Sequence, residues 1–229
     1  MATETAHFAA MMAGDFQTPT ATAPHAEAAR EHFALLVARA RTGDATAFER
    51  IMLETERKVV STAWRMLGNR EDARDAAQEV YLRVYKYLDR FKPEQDFQAW
   101  LYRITINVCR DAARKRVATQ GHAGFINTQQ GGDDERAAPP SAEAVSPDAD
   151  AEEHAIRAQQ RAFLLSALDT LPEKERAALV LRDLEGLTTE EVARVLRSRP
   201  VTVRSQISSA RAKLKIHCER LLGKGGRHV

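Results

Sequence analysis

The sequence predicts an all-α protein built from two helical domains. Apolar residues recur at intervals of three and four from about His32 to Arg116, and the same period returns near Glu152. No run alternates with a period of two for long enough to form a strand. Between the two periodic stretches, residues 119–150 lose the pattern and collect glycine, proline and acidic residues, the composition of a flexible linker.

Residues that end and begin helices divide the first periodic stretch. Gly43-Asp44 can end one helix and cap the next, and Gly68-Asn69 repeats this arrangement at the following boundary. The third helix is interrupted at residues 91–93, which include a proline. A fourth helix is expected from Asp96 to about Arg116. The first domain is therefore predicted to contain four helices.

The second stretch ends in a predicted helix-turn-helix. A proline-led helix is expected to stop at Gly186, and the run from Thr188 to Glu191 matches a capping box that starts a short helix. Ala193 is small enough to let a second helix approach closely, and that helix starts within about four residues, at Ser198-Arg199-Pro200. From Arg197 onward there are nine basic residues and one acidic residue, an excess that favours DNA binding.

The charge distribution supports two domains that face nucleic acid. The net charge is +2, but it divides into −3 for residues 1–34, +5 for 35–118, −7 for 119–153 and +7 for 154–229. Two basic blocks flank an acidic connector. The predicted boundaries are a disordered tail at 1–31, a first domain at 32–118, an acidic flexible linker at 119–151, a second domain at 152–223 and a tail at 224–229.

Several functional classes are disfavoured by composition. Cys109 and Cys218 stand apart without a CxxC pair or a histidine at ligand spacing, so neither a zinc site nor a disulfide framework is expected. No segment reaches the roughly 20 apolar residues that span a bilayer, and the N-terminus lacks the pattern of a signal peptide. A reducing cytoplasm fits this composition.

Seven of the fourteen aromatic residues lie between Tyr81 and Tyr102, interleaved with lysine and arginine. Aromatic rings stack on unpaired bases while cations follow phosphates, so this window is typical of a surface that binds separated DNA strands. Phe97 and Trp100 also fit the helical spacing of a core stripe, and we assign them to packing. The loop from Phe91 to Asp96 lies within this window and joins the third and fourth helices.

Five segments, taken in order, resemble one known family. They are GDATAF at Gly43, REDARDAAQEVYLRVYKYLDRF at Arg70, FQAWLYRITINVCRDAARKR at Phe97, LDTLPEKERAALVLRDLEGLTTEEVARVL at Leu168 and TVRSQISSARAKL at Thr202. This set closely resembles the extracytoplasmic-function (ECF) group of bacterial sigma factors, in the sigma-70 family. The resemblance implies a sigma-2-like and a sigma-4-like domain in a dissociable, non-enzymatic RNA polymerase subunit that needs no cofactor, catalytic residue or metal.

The resemblance also implies the surface that binds polymerase. One helical face matches the family's contact with the β′ clamp helices, and the family's second domain binds the β flap. The matching residues are Asp75, Gln78, Glu79, Leu82 and Arg83.

Promoter contacts carry over from the same resemblance. The first domain would recognise and melt the minus-10 element, through Lys86, Arg90, Phe91, Lys92, Asp96, Arg103, Asn107, Arg110 and Arg114. The second domain would read the minus-35 element in the major groove, through Arg199, Thr202, Arg204, Ser205, Gln206, Ser208, Ser209 and Arg211.

The chain departs from the family pattern inside the helix-turn-helix. Arg197 and Val201 stand where glycines are common, so the turn is expected to be rebuilt, and Gln206 and Ser209 are neutral at positions that are frequently basic. We therefore expect the minus-35 contacts to be redistributed.

Two further expectations concern partners. An anti-sigma protein that covers the polymerase-binding surfaces is implied by the resemblance. The linker carries eight carboxylates and one arginine from Thr119 to Glu153. It could be a solubilising tether, or it could thread through a basic polymerase channel by mimicking nucleic acid.

Two alternative functions remain open from the sequence. A stand-alone helix-turn-helix regulator would explain the second domain but not the first. A magnesium-dependent hydrolase could use Glu71, Asp72, Asp75 and Glu79 as oxygen ligands, although the sequence offers no convincing second carboxylate cluster.

Overall fold

The computed structural model describes residues 23–92, 94–122 and 151–225, and every regular element within them is helical, so the all-α prediction is confirmed. A 3₁₀ turn (Leu88–Arg90) follows the third helix, and a π-helical turn (Val180–Leu184) follows the sixth. In chain order the α-helices are α1 (Ala23–Arg41), α2 (Ala45–Leu67), α3 (Arg70–Tyr87), α4 (Phe97–His122), α5 (Ala151–Asp169), α6 (Glu173–Leu179), α7 (Thr189–Leu196) and α8 (Pro200–Gly225).

The predicted boundary residues of α2, Asp44 and Gly68, are confirmed. Asp44 caps α2 by accepting hydrogen bonds from the backbone N–H groups of Thr46 and Ala47, at 3.0 and 3.2 Å. The hydrogen bond from the Thr46 side chain, with further ones from Arg39 and the Ala47 backbone, lowers the pKa of Asp44 to about 2. Gly68 ends α2 with a φ of 81°, a left-handed conformation that glycine adopts without a Cβ clash.

Helix α1 begins earlier than the sequence suggested. The predicted tail ends at residue 31, whereas the helix starts at Ala23 and is rich in alanine, the strongest helix former. Tertiary contacts also hold this segment, since Phe33 is buried and its ring stacks on that of Phe97 at 5.0 Å. The first helix is therefore part of the domain.

The first domain packs α1 to α4 around a continuous apolar core. Fully buried side chains come from α2, α3 and α4, among them Ile51, Val80, Phe97 and Ile106. Thr55 is a buried polar residue, and its hydroxyl donates to the Ile51 carbonyl at 2.7 Å. Each helix thus presents one face to this core, as the three-and-four spacing predicted.

The second domain contains α5 to α8. Pro172 caps α6 rather than occupying its first turn, and the helix widens into the π-helical turn before Gly186 ends it with a φ of 76°. Thr188 and Glu191 form the predicted capping box of α7. Helix α8 buries the predicted stripe of Val203, Ile207, Ala210 and Leu214.

The predicted linker lies mostly at residues 123–150, outside the described residues, as do residues 1–22 and 226–229. Helix α4 runs to His122 and α5 starts at Ala151, so helices occupy both ends of the range assigned to the linker. None of the helices within the described ranges is long and apolar enough to cross a membrane.

Candidate protein-binding and nucleic-acid interfaces

The face of α3 expected to bind polymerase is exposed at three of its five positions. Asp75, Gln78 and Leu82 are open to solvent. Arg83 is half-buried, and its Nε donates to Glu79 Oε1 at 2.7 Å. Arg83 Nη1 also donates to Asp111 on α4 at 3.0 Å, so this arginine ties α3 to α4. The ridge offers an acid, an amide and a leucine to a partner.

An open apolar groove adjoins this ridge between α2 and α3. Its large apolar side chains include Leu53, Leu82 and Tyr85, which are 64%, 65% and 70% exposed. Apolar side chains clustered on one exposed surface commonly mark a protein-binding site. Tyr85 was expected among the DNA-facing aromatic residues rather than in a protein-binding groove, and Leu53 was not predicted to have a role. Leu53 lies off the buried stripe of α2, which is the signal that could have identified it.

The aromatic window is mainly core rather than a stacking surface. Five of its seven rings are buried, including those of Tyr81, Phe91 and Tyr102, while Tyr85 is exposed and Tyr87 is partly covered. Burial raises the pKa of Tyr81 to about 12. The assignment of Phe97 and Trp100 to packing is confirmed.

The assignment of Phe91 to exposed DNA contacts is wrong. Its side chain is 2% exposed, and its ring lies 5.6 Å from that of Phe97 and 5.4 Å from that of Trp100. Phe91 therefore fixes the start of the loop to the core, while Lys92, the next residue, is exposed. The sequence could not reveal this, because a loop residue has no helical register.

The basic residues before the loop lie on the surface. Lys86 Nζ is 5.7 Å and Arg90 Cζ is 4.8 Å from the centre of the Tyr87 ring, which are distances for cation–π contacts. Both cations are exposed. They therefore form a positive edge next to the loop and are available to phosphates.

Two of the four DNA-binding candidates on α4 face the second domain. Asn107 and Arg114 are exposed, but Arg110 is paired with Glu173 at 2.6 Å between nitrogen and oxygen. Arg103 is half-buried, and this burial, with the neighbouring Arg197 charge, lowers the pKa of its guanidinium. Helix α4 is thus partly covered by the second domain.

Glu185 makes three side-chain hydrogen bonds between the two domains. Its side chain is 7% exposed. It accepts hydrogen bonds from Thr62 at 2.8 Å, from Arg65 at 2.5 Å and from the Tyr102 hydroxyl at 2.8 Å. Nearby, Arg176 Nη1 donates to the Met66 carbonyl at 2.9 Å. All three partners of the Glu185 carboxylate belong to the first domain. Glu185 therefore helps to hold the two domains in contact, which is a closed arrangement.

The turn of the helix-turn-helix is not rebuilt, contrary to the expectation from its missing glycines. Arg197 takes the left-handed conformation, with φ 51° and ψ 45°, that glycine usually supplies. The Ser198 N–H donates to the Ala193 carbonyl at 2.9 Å, and the Arg197 N–H to the Arg194 carbonyl at 3.4 Å, which together make a Schellman motif. The turn therefore keeps its geometry without glycine, at a cost of about 1 kcal/mol.

The minus-35 candidates divide into exposed and covered groups. Gln206, Ser209 and Arg211 are partly covered; Ser209 Oγ donates to Glu175 at 3.1 Å. Arg211 donates to both Asp183 oxygens, at 3.0 and 2.8 Å. The exposed group comprises Arg199, Thr202, Arg204, Ser205 and Ser208.

We expect R211A to destabilise the second domain rather than to alter base preference. The Asp183 side chain is 8% exposed and would lose its bidentate partner, which costs about 3 kcal/mol in a buried pair. A denaturant titration followed by circular dichroism would measure this loss. R194A, at a 62% exposed side chain on α7, is the control and should change the stability by less than about 1 kcal/mol. An R211A variant as stable as the control would contradict the structural role of this ion pair.

The carboxylates considered as magnesium ligands are not gathered into a site. Within residues 23–92, 94–122 and 151–225, no group of three histidine, cysteine or acidic residues converges. The Asp72 carboxylate instead accepts a hydrogen bond from Asn69 Nδ2 at 2.5 Å and pairs with Arg116 at 3.3 Å. Glu79 pairs with Arg83.

Comparison with protein families gives one match in each domain. Residues 51–119 match the family model of Sigma-70 region 2, and residues 160–214 match Sigma-70, region 4. The two matches together cover more than half of the chain. They occur in the same order as the two helical domains.

Individual proteins match across both domains. The RNA polymerase sigma-H factor of Pseudomonas aeruginosa is 31% identical over 77% of this chain and 88% of its own length. The ECF RNA polymerase sigma-E factor of Escherichia coli K12 is 30% identical over 77% of this chain and 89% of its own length.

Two solved structures share the fold. CnrH in complex with the cytosolic domain of CnrY has a TM-score of 0.59 at 23% identity, covering 82% of this chain and 98% of that one. RpoE with the anti-sigma factor NepR from Bartonella quintana has a TM-score of 0.55 at 24% identity, covering 73% and 94%. At these identities, the two solved structures show that the fold is shared and nothing more.

Proposed function

The chain belongs to the sigma-70 family of RNA polymerase sigma factors, in its ECF group, and from this premise we propose which of its surfaces bind polymerase and promoter DNA. As a sigma factor it is a non-enzymatic subunit that directs core RNA polymerase to promoters and starts transcription. The observation that carries this function is the pair of matches, one in each domain and in the family's order.

The exposed ridge and groove of α2 and α3 are proposed to bind the β′ clamp helices. Leu82 supplies a large apolar contact, and Asp75 and Gln78 supply an acid and an amide that suit a basic partner helix. Leu53 and Tyr85 widen this apolar surface beyond the residues that the resemblance identified. We propose the β flap as the partner of the second domain.

The loop after α3 and the polar residues of α4 are proposed to open the minus-10 element. Lys86, Arg90 and Lys92 form an exposed positive edge for phosphates, and Asn107 and Arg114 extend it along α4. Capturing an extruded base costs a few kcal/mol of unstacking, so the loop that receives the base must be ordered in advance. Phe91 contributes by holding this loop against the core.

The exposed face of α8 is proposed to read the minus-35 element. Arg204 has donors that match a guanine edge, and it pairs with Glu190 at 3.4 Å across an exposed surface. Arg199 lies at the start of the helix and suits a phosphate. The covered positions Gln206, Ser209 and Arg211 serve the domain's own packing in this arrangement.

An anti-sigma factor is proposed as a regulatory partner. Two relatives in fold were solved as complexes, CnrH with the cytosolic domain of CnrY and RpoE with the anti-sigma factor NepR. The groove containing Leu53, Leu82 and Tyr85 is open in this chain, and a regulator that covered it would block polymerase. A cytoplasmic location, where polymerase acts, belongs to the same proposal.

The rival functions explain less of the chain. A stand-alone helix-turn-helix regulator leaves the match over residues 51–119 without a purpose. The hydrolase hypothesis requires converging carboxylates, whereas Asp72 and Glu79 pair with basic side chains.

Assembly with core polymerase is the direct test of this function. Equimolar protein and core enzyme should elute together in size-exclusion chromatography, and the complex should bind promoter fragments that neither component selects alone. Sequence-selective DNA binding by the chain without polymerase, together with no complex formation, would favour the stand-alone regulator.

We expect R204A to weaken and relax minus-35 recognition. Losing a bidentate base contact costs about 1–3 kcal/mol and reduces discrimination at that base pair. The measurement is holoenzyme affinity for a selected promoter and for its single-base minus-35 variants. R194A is the control and should retain wild-type preferences. If R204A lowered affinity equally for every variant, Arg204 would be a phosphate contact instead.

A further inference from the structure

The loop that is proposed to capture a base is held at both ends by helix α1. At its start, the chain leaves α3 through the 3₁₀ turn Leu88–Arg90. At its end, Asp96 caps α4, because its Oδ1 accepts from the Ala99 N–H at 2.9 Å. Basic side chains of α1 contact both ends of the loop, so α1 holds the loop together with α3 and α4.

Arg41, the last residue of α1, clamps the start of the loop. Its Nε donates to the Leu88 carbonyl at 3.0 Å, and its Nη2 donates to the Asp89 carbonyl at 2.7 Å and to the Phe91 carbonyl. The Leu88 carbonyl also accepts from the Phe91 N–H at 3.1 Å, which closes the 3₁₀ turn. One guanidinium therefore contacts three carbonyls at the start of the loop.

Arg30, three turns earlier on α1, holds the other end of the loop. Its Nε donates to Asp96 Oδ2 at 2.9 Å, where the Asp96 side chain is 18% exposed. The same carboxylate therefore both caps α4 and binds α1. Phe33 lies between the two arginines in sequence and stacks on Phe97, which packs against Phe91.

The described residues between these attachments are exposed. Lys92, Glu94 and Gln95 are open to solvent, and the Gln95 N–H closes a turn by donating to the Lys92 carbonyl at 2.9 Å. A short exposed loop that is fixed at both ends loses little entropy when it binds a ligand. The order needed for base capture is thus supplied by residues that do not face the DNA.

We infer that Arg41 is a positioning residue for promoter melting, which fixes the height and shape of the loop from Phe91 to Asp96 without touching DNA. The inference rests on the proposed function of the loop. A lysine cannot replace this arginine, because an ammonium group cannot span three carbonyls as a planar guanidinium does. The sequence alone gave no indication of this role, since Arg41 and the loop are about fifty residues apart.

The test compares R41A and R41K with R39A. Arg39 is two residues away and pairs with Asp44 at 2.7 Å, outside the loop, so R39A is the matched control. Holoenzymes of each variant are assayed on a promoter that the wild-type holoenzyme selects from a library. Three quantities are measured: core polymerase affinity, the rate of strand opening by permanganate reactivity, and hydrogen exchange of residues 88–97.

R41A should slow strand opening about tenfold or more, the cost of losing charge-assisted hydrogen bonds. Its polymerase affinity should stay within about twofold of wild type, because the ridge on α3 is not touched. Exchange in residues 88–97 should accelerate, and a promoter with its minus-10 bases already unpaired should recover only part of the loss. R41K should lose opening several-fold, and R39A should behave as wild type.

Two results would overturn the inference. One is wild-type opening by R41A or R41K. The other is an equal loss of polymerase affinity and opening, which would indicate a general structural role. If R41A does not fold, R41K distinguishes a positioning role of Arg41 from a general structural role. Should the wild-type holoenzyme itself open no promoter, the proposed function fails, and hydrogen exchange still reports whether Arg41 orders the loop.

Discussion

Replacing Leu82 with glutamate is expected to abolish most binding to core polymerase while leaving the fold intact. Leu82 is 65% exposed at the centre of the ridge on α3, beside Leu53 and Tyr85. A central apolar contact in a protein interface contributes about 2–4 kcal/mol, which corresponds to a loss of about thirtyfold or more in affinity. A buried carboxylate facing the partner would add a desolvation cost.

The measurement is a titration of fluorescently labelled protein with core polymerase. V117E is a suitable control, because Val117 is 69% exposed and lies outside the groove. Thermal unfolding of both variants should match wild type, since exposed substitutions change stability by about 0.5 kcal/mol or less. Wild-type polymerase affinity in L82E would show that this ridge is not the polymerase surface.

Replacing Glu185 with alanine is expected to separate the two domains. The Glu185 carboxylate, 7% exposed, is shared by Thr62, Arg65 and Tyr102 of the first domain. Removing one member of a largely buried ion pair costs about 3 kcal/mol, enough to shift an open–closed equilibrium more than a hundredfold. The nearby charges of Arg103 and Arg197 also oppose closure.

Small-angle X-ray scattering and energy transfer between dyes on the two domains would measure this change. E185A should increase the radius of gyration and lower the transfer efficiency. E185Q keeps one acceptor oxygen but loses the negative charge, so it should fall between E185A and wild type. E190A removes an acid whose pair with Arg204 is 63% exposed on both sides, and it should leave both measurements unchanged. Equal compactness of E185A and wild type would exclude Glu185 as the residue that secures closure.

Domain separation has a functional consequence at α4. In the closed arrangement Arg110 pairs with Glu173, and Arg103 is half-buried beside the second domain. Both arginines were assigned to minus-10 DNA from the family resemblance. Opening would release them, so the surface proposed for DNA depends on the contact that Glu185 maintains.

Local interactions made much of this fold predictable. Asp44, Asn69 and Thr188 cap their helices through residues two or three positions away. Such contacts can be predicted from neighbouring sequence positions. The buried stripe of α8 follows in the same way from helical spacing. The left-handed Arg197 was not expected, because the missing glycine had suggested a rebuilt turn.

Contacts between distant segments were not predictable in this way. Phe91 lies in a loop, so no periodicity reported that its ring would pack on Phe97 and Trp100. Arg41 and Glu185 act on residues far away in sequence, and a single charged residue on a helix gives no sign of its partner. The ion pair between Arg211 and Asp183 was not predictable for the same reason, since Asp183 lies on another element.

Reconstituted transcription tests the central claim most directly. Core polymerase is incubated with this protein and a library of promoter fragments, and transcripts are sequenced from their 5′ ends. We expect initiation from a subset of fragments that share a minus-10 and a minus-35 element, dependent on this chain and strongly reduced by L82E. A folded protein that supports no promoter-dependent initiation across the library would contradict the account.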